Sequence, residues 1–317
     1  MIVTHLLCHW RTYRRRDSLK ASLLRAARSL RVLYYRRDHA ALLRLAVVRE
    51  HIAQAVPHDV FHHLTQRGYL MRGLSARRRV QAALFHYRFD EATFDTAWKR
   101  AVYRHGGLRL WEHHANGSTF FIRLEMAVRL DAEGDLTIAL VADAQVQTVL
   151  HRLSFSWVDG ALFRAADRVV PFIARNQGRW TDSNDAFAAF ETAFPNNSAS
   201  YFCFAALQGV ARALGMRQAL AVNSAAHIAW SVNAAPHFIN AYDKFWLVLG
   251  GVPHDDCCHA IALPFHTKPL AAMPSRHRKR AAGRRANWQA IEHSARAVIL
   301  GHLQAAPVAN IVDTVDV

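Results

Sequence analysis

The chain has 317 residues, 40 Lys and Arg against 24 Asp and Glu, and a formal net charge of +16. Half of it is hydrophobic, which excludes a mostly disordered chain, and no apolar run is long enough for a transmembrane helix. Four cysteines, Cys8, Cys203, Cys257 and Cys258, form no disulfide framework and no C-x-x-C, which points to a reducing, cytoplasmic compartment.

The excess charge is concentrated. Residues 11–49 hold twelve basic and two acidic residues, residues 276–285 hold six basic and none acidic, and the remainder is balanced. Such segments attract phosphate-rich partners. In the first, Leu19, Leu23, Leu30, Leu33 and Tyr34 fall within about a third of a helical circumference. Arg25, Arg28, Arg31 and Arg36 fall on the other side, which makes a basic amphipathic helix. Docking onto the protein body is the commoner fate of such a helix. The alternative is a peripheral position on an anionic membrane or a lipopolysaccharide-related lipid, with Arg278, Lys279 and Arg280 of the second segment as further contacts. Trp10, Tyr13, Tyr34 and Tyr35 among the arginines also permit stacking on RNA bases, but no RNA-binding signature accompanies them.

In chain order, residues 18–50 read as one or two helices, with a short helical stretch at 61–67. A helical region follows at 75–105, with Ser75 as its cap. Phe120–Leu130, Leu136–Val141 and Val149–Val158 are β-rich runs divided by turn residues, which predicts an antiparallel meander, and Arg168–Ala174 is a further strand. Helices are predicted at 185–194, 201–214, 242–249 and 276–305, with strands at 218–222 and 259–265. The fold class is α+β: an antiparallel or mixed sheet with packed helices, and basic helices at both ends. The expected segments are a basic helical region over 1–67, a core over 68–275 and a basic helix and tail over 276–317.

No P-loop, G-x-G-x-x-G, G-x-S-x-G or H-E-x-x-H occurs. His254-Asp255-Asp256-Cys257-Cys258-His259 has metal-binding residue types. Adjacent ligands do not converge on one ion without a tight loop, so a polar turn is the favoured reading and no metal site is expected. His86 and Glu91 have the side chains of a base–carboxylate pair, but their five-residue spacing sets them apart around a helix.

Several stretches, in order, resemble the VirK/YbjX family of Gram-negative bacteria: RGYLMRGLSARRRVQAALFHYRF (67–89), EGDLTIAL (133–140), HRLSFSW (151–157), RNQG (175–178), FAALQGVARALGMRQALAVNSAAHI (204–228), AYDKFWLVLGG (241–251) and PSRHRKRAAGRRANW (274–288). The resemblance implies an accessory protein of envelope defence or virulence, linked to antimicrobial-peptide resistance and surface-protein display. It would act from the cytoplasm or the inner-membrane face. The chain departs from the family pattern at Glu191–Ser198, where relatives carry a basic stretch. It departs again at Ala229–Val232, where basic residues are expected soon after His227.

The succession of elements from 168 to 265 also looks like the cofactor-binding half of the GNAT acetyltransferase fold. That likeness implies an acyltransferase using acyl-CoA or acyl-carrier protein, although no cofactor is certain. Gln177, Gly178 and Arg179 would hold the cofactor, and Tyr242 would act as acid, with His227 and Asn223 near the strand ends. An aromatic core stripe accounts equally well for Tyr242, Phe245 and Trp246. Three functional classes therefore stand: the envelope accessory protein, the acyltransferase and a basic RNA-binding regulator.

Overall fold

A computed structural model describes residues 27–53, 60, 62–66, 68–127, 133–143, 146–178 and 183–304, together with residues 7, 10, 11, 23 and 24. Arg25 and Arg179 lie outside the described residues.

The chain starts with α1 (Arg31–Tyr34) and α2 (Arg36–Arg44), then a π-helical turn over Val47–Ile52. A short α3 (His62–Thr65) leads to α4 (Ala76–Thr93) and α5 (Thr96–Tyr103). Ser75 caps α4 as expected, its Oγ accepting the Arg78 N–H at 3.3 Å. The helical region expected over 75–105 divides into two helices. Phe94 is extended, and Asp95 begins a second helix by accepting the Trp98 N–H at 2.6 Å. Stacking of Phe94 on Trp98, with ring centroids 4.0 Å apart and both rings fully buried, fixes this break.

Eight strands form one sheet in the order β1-β2-β3-β4-β5-β6-β8-β7. They are β1 (Leu108–Ala115), β2 (Ser118–Met126), β3 (Leu136–Asp143), β4 (Gln147–Asp159), β5 (Val169–Gly178), β6 (Gln218–Val222), β7 (Val252–Pro253) and β8 (Cys258–Ala262). The fold is therefore mixed α+β, with an antiparallel meander as expected. Sequence reading misses β1, whose Glu112, His113 and His114 are exposed and blur the apolar alternation. Asn116 and Gly117 join it to β2 with positive φ at both positions, the conformation that a two-residue hairpin turn demands.

Alternation along the strands divides the sheet into two faces. Ile138 and Leu140 join the main core, whereas Ala139 and Val141 pack with Phe121 in a small separate cluster. Cross-strand register puts Arg123, Ala139, Arg152 and Gln177 in one row on that second face. Glu125, Thr137, Ser154 and Arg175 form the next row.

Between β5 and β6 run α6 (Asn184–Ala193) and α7 (Ala199–Ala213); α7 lies across β3, β4 and β5. After β6 come α8 (Ala235–Ile239), a π-helical turn over Asn240–Lys244 and α9 (Phe245–Val248). The long α10 (Ser275–Leu300) packs on α7. Gly209 permits that close crossing, since a Cβ there would meet the Glu292 carbonyl and the Ala295 side chain. Glu292 accepts hydrogen bonds from Gln208 and Arg212 of α7. Beyond α10 the chain returns to the first half of the molecule. Ser294 Oγ donates to the Leu110 carbonyl at 2.7 Å, and Gln304 N–H donates to the Thr93 carbonyl at 2.9 Å. Leu42, Leu43 and Ile52 share one core with Ile291, Ala295 and Ile299.

Candidate functional site

β5 and β6 are the one parallel pair among these strands, and only Phe172–Leu220 and Ile173–Ala221 are in register. β6 ends at Val222, where Asn223 turns the chain. Its side-chain oxygen accepts the Ala226 N–H at 2.8 Å, and its amide donates to the Asp256 carbonyl at 2.9 Å. β5 continues to Gly178, where its strand partner is β4. Along this stretch the register slips by one residue at Ala174, a bulge that increases the local twist. The two parallel strands therefore part beyond Ile173.

Tyr242 fills the parting. Its ring is fully buried, and its oxygen accepts the Asn176 backbone N–H at 3.2 Å and the Gln177 amide at 3.3 Å. His227 Nε2 lies 2.8 Å from the same oxygen. The Ala229 N–H donates to His227 Nδ1 at 3.1 Å, which places the ring proton on Nε2, facing Tyr242. Glu133 Oε1 is 3.5 Å from that Nε2. Burial pushes His227 down to about 4 and pushes the Tyr242 hydroxyl up, so both are neutral at pH 7.

Two clefts flank the parting and share Gln177. The helix-side cleft, about 350 Å³, is lined by Asn176, Gly178, the rings of Phe187, Phe190 and Phe245, and the start of α7 from Ser198 to Ser200. His151 stands at its floor, with Nε2 2.8 Å from Asn176 Oδ1; burial pushes its pKa down to about 4. Gly178 is required here, because a Cβ would meet the Leu150 carbonyl and lie 2.6 Å from His151 Nδ1. The second cleft, about 650 Å³, is lined by Gln66, Arg72, Glu133, Arg175, Ile228 and Ala229. Arg175 pairs with Glu133 at 3.1 Å. The Arg72 guanidinium lies over the Trp230 ring, 5.3 Å from its centroid, and donates to the Trp230 carbonyl.

Of the residues that the acyltransferase likeness singles out, Gln177 and Gly178 line the helix-side cleft, and Tyr242 and His227 are joined directly behind it. Asn223 serves its own turn instead. Trp246 is fully buried, its indole N–H donating to the Val222 carbonyl at 2.9 Å. Both departures from the VirK/YbjX pattern fall at these clefts: Glu191, Asn197 and Ser198 line the first, and Ala229 the second. Sequence reasoning misses Asn176, His151, Glu133 and Arg72 as cleft residues. They lie inside the stretches that carry the resemblance, but no spacing marks them as chemical.

The remaining candidates are dispersed. Arg28, Arg31 and Arg36 lie in the first basic segment, and Arg278, Lys279 and Arg280 are exposed at the start of α10. His86 is buried beside Asp90, 3.5 Å from its carboxylate, while Glu91 accepts the Val47 N–H at 2.9 Å. In the acidic-cysteine stretch, Asp255 Oδ1 accepts the N–H groups of Cys257 and Cys258 at 2.8 and 2.9 Å, the bonding of a tight polar turn.

A second polar centre lies deeper. Asp135 is fully buried and accepts hydrogen bonds from the hydroxyls of Tyr69 at 2.6 Å, Tyr87 at 2.8 Å and Ser156. His62 Nε2 is 3.1 Å from Oδ1, the oxygen that Tyr87 also reaches. Burial alone would raise the Asp135 pKa, but His86, His62 and the hydroxyl donors outweigh it and hold the carboxyl well below the usual range. The described residues offer no cluster suited to a metal ion and no helix long and apolar enough to cross a membrane.

No curated protein and no solved structure matches the chain. Residues 19–295 match the family described as protein of unknown function (DUF535), so the matched region spans the N-terminal helices, the whole sheet and most of α10, and the chain belongs to that family.

Proposed function

We propose that the chain transfers an acyl group from a pantetheine thioester, at the parting of β5 and β6, to an acceptor held in the larger cleft. The observation that carries this reading is the pair of clefts meeting at Gln177 where two parallel strands separate. A bulged strand that outruns its parallel neighbour leaves backbone donors without a strand partner, and ligands favour such places. The Asn176 N–H is taken by Tyr242, and strand alternation turns the Gly178 N–H the same way, toward the helix-side cleft.

A thioester supplies an activated carbonyl carbon and a thiolate leaving group. On the helix side, Phe187, Phe190 and Phe245 offer apolar walls, and the start of α7 brings a helix N-terminus to the lining. On the other side, Glu133 is placed to receive the proton of an acceptor amine or hydroxyl as the new C–N or C–O bond replaces the C–S bond, the thiolate leaving with the pantetheine arm. Glu191 stands on the helix-side lining where relatives in the resemblance are basic. That difference favours an arm with a single phosphodiester, as on a carrier protein, over the pyrophosphate of coenzyme A. The process served would be envelope defence, as the VirK/YbjX resemblance implies.

The test is binding of acyl-carrier protein and acyl-CoA to the full chain, followed by mass spectrometry of acyl transfer to envelope lipids. Thioester binding that Ser200→Trp abolishes without changing the melting temperature is the expected result. No binding of either thioester would overturn the reading.

A further inference from the structure

The first basic segment turns its apolar stripe outward. Residues 27–44 follow a helical course with turns at Leu30 and Tyr35. Leu30 is 64% exposed, Leu33 53% and Tyr34 83%, and Leu23, which helical spacing in the sequence assigns to the same stripe, is 71% exposed. Val32, on the opposite side of α1, is fully buried in a small cluster with Leu64 and Val80. α1 is thus held by Val32, with Leu30 and Leu33 in water. Arg31, Arg36 and Arg37 are exposed around them, and Leu7, Trp10 and Leu24 add further exposed apolar side chains. Apolar side chains grouped this way mark a contact surface.

Charge decides the occupant. A second copy of the chain would bring the same excess of arginine, and the residues between 12 and 22 carry Arg14, Arg15, Arg16 and Lys20 against Asp17. Either would set like charges together. Arg28 and Arg31 already lower the pKa of Arg79 by their charge, behind the larger effect of burial, so cations are crowded on this side of the molecule. An anionic bilayer offers hydrocarbon to the exposed leucines and phosphate at headgroup level to the exposed Arg31, Arg36 and Arg37. The stripe is chiefly leucine, with Tyr34 as its aromatic member, which suits acyl chains better than stacked bases.

We infer that the outward face carrying Leu23, Leu30, Leu33 and Tyr34 seats this protein on an anionic lipid surface. The inference is independent of thioester chemistry. Val32 packs against Leu64, and Gln66, two residues on, lines the larger cleft.

Co-sedimentation of the full chain with vesicles of phosphatidylcholine and phosphatidylglycerol, and with phosphatidylcholine alone, tests it. Binding should require the anionic lipid and weaken as salt rises. The double variant Leu30→Ser, Leu33→Ser should bind about a hundredfold more weakly, the loss expected when two leucines no longer leave water. Its melting temperature should hold, because both side chains are solvent-exposed. Val248→Ser, at an exposed site elsewhere, should bind like the original. Equal sedimentation with both vesicle types, or a folded double variant that still binds anionic vesicles fully, overturns the inference. So does a dimer, or an RNA complex formed in place of vesicle binding, that the double variant loses.

Discussion

Asn176 gives its backbone N–H to the phenolic oxygen of Tyr242 across 3.2 Å, at the place where β5 has outrun β6. A donor that a neighbouring strand would ordinarily satisfy is satisfied by a side chain, and that side chain reaches on to Gln177 and His227. Tyr242→Phe keeps the ring against Phe238 and Trp246 but removes the shared acceptor. We expect a stability loss of about 1–3 kcal/mol, the cost of buried donors left without a partner, measured as a shift in urea midpoint. An unchanged midpoint would mean that these bonds contribute nothing net.

Asp135→Asn should be more damaging. Three hydroxyls and His62 converge on the carboxylate, and an amide presents one acceptor oxygen where the carboxylate presents two. The expected loss is about 3–5 kcal/mol, as for one partner removed from a buried ionic network. Chemical denaturation of the variant checks it, and a loss below 1 kcal/mol, well under the range expected for such a network, would refute it.

Acid should destabilise the protein from about pH 6.5 downward. Burial holds His39 at about 3 and His151 and His227 at about 4, and holds His63 well below its ordinary value. The unfolded chain takes up these protons first, so stability is full above the ordinary histidine pKa and falls toward pH 4. The slope is about 1.4 kcal/mol per pH unit for each such residue. Asp90, raised to about 6 chiefly by burial, has the opposite sign and offsets one proton between about pH 4 and 6. Asp135, depressed, adds its own loss below the usual carboxylate range. Urea midpoints at pH 7.5 and 5.5 should differ clearly, and equal values would defeat this account.

Gly178→Ala should force β4 and β5 apart where the helix-side cleft opens. The added methyl meets the Leu150 carbonyl and His151. Overpacking of this kind costs about 1–3 kcal/mol, and the damage should be local. Hydrogen exchange should quicken at residues 149–151 and 176–178 while the β1–β2 hairpin keeps its protection.

The meander was legible because Leu136–Val141 and Val149–Val158 are apolar runs between turn residues, and Tyr201–Leu214 because its apolar positions recur at helical spacing. β1 was not, since an exposed strand need not alternate. At the site, Gln177 and Gly178 were legible from their place after a strand. Glu133 and Asp135 sit beside each other in sequence with Gly134 between them, yet one faces a cleft and the other the deep core. That division follows from the Gly134 backbone, with φ of 127°, and from contacts made by Tyr69, Tyr87 and His227 far away in the chain. Nothing local encodes it. The outward stripe of the first helix was equally hidden: the leucine spacing shows an apolar face, but only the burial of Val32 shows which way it points.

The return of the chain after α10 has a consequence for biogenesis. Gly209 of α7, the Leu110 carbonyl of β1 and the Thr93 carbonyl all receive their partners from residues 292–304. During synthesis every strand of the sheet emerges from the ribosome before any of these partners does. The nascent protein therefore waits with the back of α7 uncovered, and closes only once residues 292–304 have emerged. A message truncated after β8 would yield a sheet with all its strands and no seal, a product whose bare apolar surface marks it for chaperones and proteases.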